Sequence, residues 1–181
     1  MKDESDLAGL MARYQAGEGD ALAGLYKATA QGMINFVYGL TGDRALSEDV
    51  LQEVFLRVHR VRHTYSPARP VRPWLYGIAR HVAIDVLRKR GREMPVGDET
   101  ILDRAAPAPG AALEMADLEA ALAALPKTQR EAFLMTKVSG LSVREAAAAL
   151  GATEGAVKVG VHRAVKALRS FLHEESEDSG D

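Results

Sequence analysis

The apolar pattern of this chain is helical on both sides of one long interruption, and that interruption limits what the chain can fold into. The runs from Gly91 to Thr100 (GREMPVGDET) and from Ala105 to Gly110 (AAPAPG) gather glycine, proline and polar residues without sustained periodicity. Such a stretch marks a connection rather than an element. About 90 residues precede it and about 60 follow, each sufficient for a small helical fold. The expectation is therefore an all-α protein with two small helical domains joined by a flexible linker. The first spans residues 1–91, the linker 92–112, the second 113–173, and an acidic tail 174–181.

Within the first segment Leu22, Leu25, Tyr26, Phe36, Val37 and Leu40 recur at helical spacing, as expected of helices in a bundle. Ser47 is placed to cap a helix with Glu48 and Asp49 in its first turn and Val50, Leu51, Val54, Phe55 and Val58 as its buried stripe. That helix is expected to end near His63. Pro67 and Pro70 make Thr64 to Arg72 a loop, and Pro73 suits the first turn of the next helix, where Trp74, Ile78, Val82 and Val86 share a face. In the second segment Pro126 opens a helix that Ser139 and Gly140 break. Ser142 and Glu145 have capping-box spacing, Gly151 supplies a tight turn, and Thr153 caps a last helix with Val157, Val161, Ala164 and Leu168 inside. Two helices joined so closely form a helix-turn-helix, whose second helix can enter a major groove.

The net charge of −2 hides a strong segregation. Residues 57–92 carry +9, ten cations against the single Asp85, and residues 126–173 carry +5. The segments before, between and after them carry −5, −6 and −5. Charges more than about 8 Å apart are screened at physiological salt, so the local islands govern contact with a polyanion. Two basic islands on two helical units favour nucleic acid as partner. With no cysteine, disulfides, thiolate metal sites and thiol nucleophiles are excluded. The acidic start lacks the basic and apolar features of a secretory signal, and no window suggests a membrane span, so a cytoplasmic protein is expected.

Both units together resemble the extracytoplasmic-function (ECF) family of bacterial RNA polymerase sigma factors, which retain only regions 2 and 4 of the sigma superfamily. The residues that carry the resemblance are Gly42 to Arg57 (GDRALSEDVLQEVFLR), Arg72 to Arg80 (RPWLYGIAR) and Asp85 to Arg90 (DVLRKR) in the first unit. In the second they are Leu125 to Phe133 (LPKTQREAF), Gly140 to Ser142, Ala146 to Gly151 (AAAALG), Glu154 to Lys158 (EGAVK), His162 and Arg163. The resemblance implies sigma region 2 in residues 1–91 and sigma region 4 in 113–173. It implies transcription initiation with core RNA polymerase and promoter DNA as partners, an anti-sigma factor as regulator, and no cofactor, metal or small-molecule substrate.

By this resemblance Asp49, Gln52 and Glu53 would dock on the clamp helices of the largest polymerase subunit, while region 4 would meet the flap. Their spacing makes an acceptor-rich patch that suits arginines, or a plain solvated face. The minus-10 element would be read as a melted strand by Arg69, Arg72, Trp74, Tyr76, Arg80, His81, Arg88, Lys89 and Arg90, with Tyr65 as a further stacking face. Extracted bases need stacking surfaces and their phosphates need cations; Trp74 fits either that use or the apolar stripe. The minus-35 element would be read by Lys158, Val159, His162, Arg163 and Lys166. His81 stands where the family usually has asparagine. Val159 and Gly160 replace a common serine and arginine, which leads to an expected narrower or shifted minus-35 readout.

The second reading is a stand-alone helix-turn-helix regulator, which accounts for the second unit only. An enzyme is the third: His59 and His63 could share a metal, but no third ligand is near in sequence, and no phosphate loop or nucleophile–base set is visible. The acids Glu93, Asp98, Glu99 and Asp103 of the linker suit a solubilising spacer or a strand threading a basic channel.

Overall fold

The structure is a computed structural model that describes the backbone of residues 4–93 and 111–178 and the side chains of 4–91 and 116–171. Eight α-helices account for the described chain, and no strand occurs among the described residues. The first group is α1 (Glu4–Gln15), α2 (Asp20–Thr41), α3 (Arg44–Val61) and α4 (Val71–Glu93), with a 3-10 turn at Arg62–Thr64. The second is α5 (Ala111–Ala124), α6 (Lys127–Phe133), α7 (Val143–Leu150) and α8 (Glu154–Asp178), with a π-helical turn at Leu134–Val138. The expected connecting residues 94–110 lie outside the described residues. No helix among the described residues is long and apolar enough to cross a membrane.

The expected stripe of α3 is buried, as Val50, Leu51, Val54, Phe55 and Val58 all pack inside. Its cap differs from expectation. Asp43 takes that role, its side chain accepting the Leu46 N–H at 2.8 Å, so the helix begins one turn earlier. Ser47 is fully buried and donates to the Asp43 carbonyl at 2.6 Å. The cap moved because Gly42 ends α2 in the left-handed conformation, φ 67°, and leaves only Asp43 between the two helices. The face of α4 is also rotated. Val71, Pro73, Leu75, Tyr76, Ala79, Val82 and Ala83 are its buried residues, while Trp74 and Ile78 are half-buried at its edge.

In the second group each expected cap is present. Ser142 and Glu145 form the reciprocal box at 3.2 and 2.8 Å, Gly151 turns at φ 64°, and Thr153 Oγ1 accepts the Ala156 N–H at 3.2 Å. Val157, Ala164 and Leu168 face inward from α8. The helix of Pro126 switches to π-type hydrogen bonding at Leu134 and ends at Gly140, φ 70°.

The two groups share a core. Leu134, Met135, Leu141, Ala146, Ala147 and Ala149 of the second group belong to the same buried cluster as Phe36, Val37, Leu75 and Ala79 of the first. Contact is close at Gly39 of α2, where a methyl would lie 2.3 Å from a terminal carbon of Leu134, so a larger residue there would have to displace that buried leucine. A smaller cluster of Ala121, Leu125, Ala164 and Leu168 joins α5 to α8.

Candidate nucleic-acid interface

Three surfaces carry the residues singled out in the sequence. On α3 the buried stripe turns Asp49 and Gln52 outward, both exposed, with the half-buried Glu53 beside them. Arg60 lies 3.6 Å from Glu53, so this carboxylate is partly neutralised while the other two acceptors face solvent. Sequence reasoning missed Leu56, one turn along the same face and 53% exposed. An exposed leucine beside acceptors forms an apolar anchor with a polar rim, the usual make-up of a protein-binding surface.

The second surface is the loop from Tyr65 to Pro70 with α4. Gln15 of α1 donates to the carbonyls of Arg62 and Tyr65 at 2.8 and 3.0 Å, and the Tyr65 hydroxyl donates to the Arg69 carbonyl at 2.6 Å. These bonds hold the loop and leave the Arg69 side chain exposed. Tyr65 itself is buried and meets Trp74 edge-on, centroids 5.3 Å apart, so it supports the tryptophan rather than offering a free face. At the start of α4 the Glu4 carboxylate accepts the Val71 N–H and lies 4.0 Å from Arg72.

Further along α4 the cations are paired rather than bare. Arg80 Nε lies 3.0 Å from Glu131 of α6, Arg88 is 3.1 Å from Asp85, and Arg90 is 3.0 Å from Asp43. Lys89 is exposed. His81 is exposed, and its Nδ1 donates to the Gly77 carbonyl at 2.6 Å, which fixes the proton on that nitrogen and leaves Nε2 as the atom for a ligand. Tyr76 is buried, with only 4% of its surface exposed. Burial raises its pKa, opposed first by the neighbouring Ser139 hydroxyl and then by Arg72. Glu131 is also buried. Nothing in the sequence marked it, since a glutamate next to Arg130 on a short helix reads as surface.

The third surface is α8. Lys158, Val159, His162, Arg163 and Lys166 are all exposed along it, and Val159 at 50% is one of the few large apolar side chains in that state. Gly160 does not belong to this face. A methyl there would point into α6, 3.3 Å from the Ala132 side chain. In this fold a small residue at 160 lets α6 and α8 approach, which is a packing reason for the glycine independent of DNA.

His59 accepts or donates at Nδ1 with the Tyr14 hydroxyl at 2.6 Å, and Arg62 stands 5.6 Å over the Tyr14 ring. His59 thus ties α3 to α1. Among the described residues no group of three metal-ligating side chains occurs.

The pattern on α3 and α4 and the helix-turn-helix fall in two matched regions. Residues 25–93 match the model of Sigma-70 region 2, and residues 115–168 match that of Sigma-70, region 4. The ECF RNA polymerase sigma factor SigF of Caulobacter vibrioides is 41% identical over 136 residues, 74% of either chain. Among solved structures, CnrH in complex with the cytosolic domain of CnrY has a TM-score of 0.77 at 25% identity, covering 93% of this chain and 98% of that one. The sigma factor RpoE in complex with the anti-sigma factor NepR from Bartonella quintana has a TM-score of 0.70 at 28% identity, covering 82% and 94%. The helical fold, the two matched regions and this degree of identity lead to one conclusion: the chain belongs to the ECF family of RNA polymerase sigma factors.

Proposed function

We propose that this sigma factor directs core RNA polymerase to promoters through the three surfaces just described, each with its own task. Asp49, Gln52 and Glu53, with Leu56 as apolar anchor, dock on the largest polymerase subunit. Arg69, Arg72, Trp74, Tyr76, Arg80, His81, Arg88, Lys89 and Arg90 hold the melted minus-10 strand. Lys158, Val159, His162 and Arg163 read base edges at the minus-35 element, where Lys166 neutralises phosphate. Residues 1–91 and 113–173 then act as separate modules, with 92–112 connecting them and 174–181 as tail.

The observation that carries this reading is the exposed row on α8 behind a fully capped helix-turn-helix. Phosphodiester chemistry belongs to the polymerase, so the chain needs no catalytic group, cofactor or metal of its own, and it works in the cytoplasm beside the polymerase. Control by an anti-sigma protein is part of the proposal, by likeness to CnrH with CnrY and RpoE with NepR. An apolar cleft of about 600 Å³ between the two helical groups, lined by Tyr38, Leu118, Leu122, Leu134 and Val138, suits one helix of such a protein.

Transcription reconstituted with sigma-free core polymerase and genomic DNA, with start sites mapped, is the test. Discrete starts that depend on the chain and share upstream elements are expected. Binding to duplex DNA without any start would favour the stand-alone regulator instead.

A further inference from the structure

We propose that α1 is a splint for the minus-10 loop, and that Gln15 at its end is a positioning residue for promoter reading. The proposal rests on the sigma reading and on the loop from Tyr65 to Pro70 as part of the minus-10 surface. Helix α1 lies wholly before residue 25, where the match to Sigma-70 region 2 begins, so that match assigns it no role.

The contacts of α1 fall on both ends of the loop. At one end the Gln15 amide donates to the carbonyls of Arg62 and Tyr65 at 2.8 and 3.0 Å. At the other the Glu4 carboxylate accepts the Val71 N–H and lies 4.0 Å from Arg72. A helix of 12 residues, about 18 Å long, carries both grips. It is itself firmly seated: Leu7 and Met11 are fully buried, and the buried Tyr14 bonds His59 of α3 through its hydroxyl at 2.6 Å. A rigid rod that holds a loop at both ends sets where everything between them sits.

The loop has few contacts of its own. Ser66 to Pro70 are all exposed. Its internal bonds run from the Arg69 N–H to the Ser66 carbonyl at 3.0 Å and from the Tyr65 hydroxyl to the Arg69 carbonyl at 2.6 Å. A segment with so little buried apolar contact opens locally at small free-energy cost, so two donors from outside it supply a large share of its order. Gln15 suits the task by type, since a primary amide carries two N–H donors on one nitrogen and two carbonyls converge on it. The placement is passed on. Tyr65, whose carbonyl Gln15 holds, meets Trp74 edge-on with centroids 5.3 Å apart, so a shift of the loop moves that ring as well as Arg69. Discrimination among bases needs groups held to about 0.5 Å by their supporting contacts, and α1 supplies that support.

Two variants separate the donors from the bulk of the side chain. Q15M keeps the length and loses both donors, whereas Q15K keeps donors. In holoenzyme reconstituted with core polymerase, Q15M is expected to reduce the preference for an intact over a singly substituted minus-10 sequence by about fivefold or more, measured with fluorescent forked oligonucleotides. Co-elution with core polymerase and binding of a minus-35 duplex are expected to match those of the unaltered chain. Hydrogen exchange across residues 62–70 of the free chain is expected to quicken by about fivefold or more, and Q15K to return both readings to within about twofold. Quickened exchange with unchanged preference would overturn the positioning role, and unchanged exchange would overturn the splint. An equal loss of preference in Q15K would show that shape rather than donors matters, and would overturn the role assigned to the amide. If the unaltered holoenzyme shows no minus-10 preference, the sigma assignment of the loop fails instead, while exchange still reports whether α1 holds it.

Discussion

Lys158 and Lys166 lie on one exposed face of α8 yet are expected to behave differently when removed. K158A should cost about 1–3 kcal/mol against the preferred minus-35 sequence and relax preference at one position. K166A should weaken all sequences alike and lower the salt dependence by about one counterion. Titrations of matched and mismatched duplexes at several salt concentrations separate the two. Asp43 offers a test of local stability. Its pKa is lowered, first by the Leu46 N–H that it caps and then by Arg90 despite some burial. A carboxylate lowered on folding stabilises fully above its ordinary value of 3.8 and loses that contribution as pH falls through the folded value. D43A should therefore destabilise by about 1 kcal/mol at pH 7, a deficit that shrinks below pH ~4; denaturant midpoints at both pH values measure it. Exposure that depends on helical spacing, such as that of Lys158, was legible in the sequence. Pairings that depend on a distant partner were not: Arg80 looked like a phosphate ligand, and only the fold brought Glu131 to it.

The limits of α7 and the start of α8 could be read from the sequence because each is written in adjacent residues. Ser142 and Glu145 serve each other across one turn, and S142A should cost about 1 kcal/mol, seen as a lower denaturant midpoint with unchanged slope. The start of α3 was misread because two capping residues, Asp43 and Ser47, lie one turn apart, and the turn at Gly42 decides between them. Gly160 shows the same limit on a helix face. Relative to alanine it weakens α8 by about 1 kcal/mol, but a methyl there presses on Ala132 at 3.3 Å. G160A should thus change stability by less than about 1 kcal/mol, whereas G160R should destabilise by about 1–3 kcal/mol through overpacking. Thermal unfolding of both variants is the check. A stable G160R with an altered minus-35 consensus would restore the DNA-facing role expected from sequence.

At the scale of the whole molecule, Leu134 couples the two helical groups. It is 1% exposed and fills the hollow left by Gly39, so L134A should destabilise by about 2–5 kcal/mol. Chemical denaturation followed at the single tryptophan, Trp74 of the first group, would report it; a loss under about 1 kcal/mol would mean that the groups do not stabilise each other. The sequence by itself determined the all-helical class, the helix-turn-helix and the exposed polar face of its last helix, because helical periodicity, caps and surface charge are all encoded within a few residues along the chain. That Tyr76 is hidden, Arg80 engaged, Gly160 turned inward and one core shared by both groups was decided only by tertiary structure. These facts depend on which surfaces, far apart in the chain, come within a few ångströms of each other, and no local spacing of residues records that.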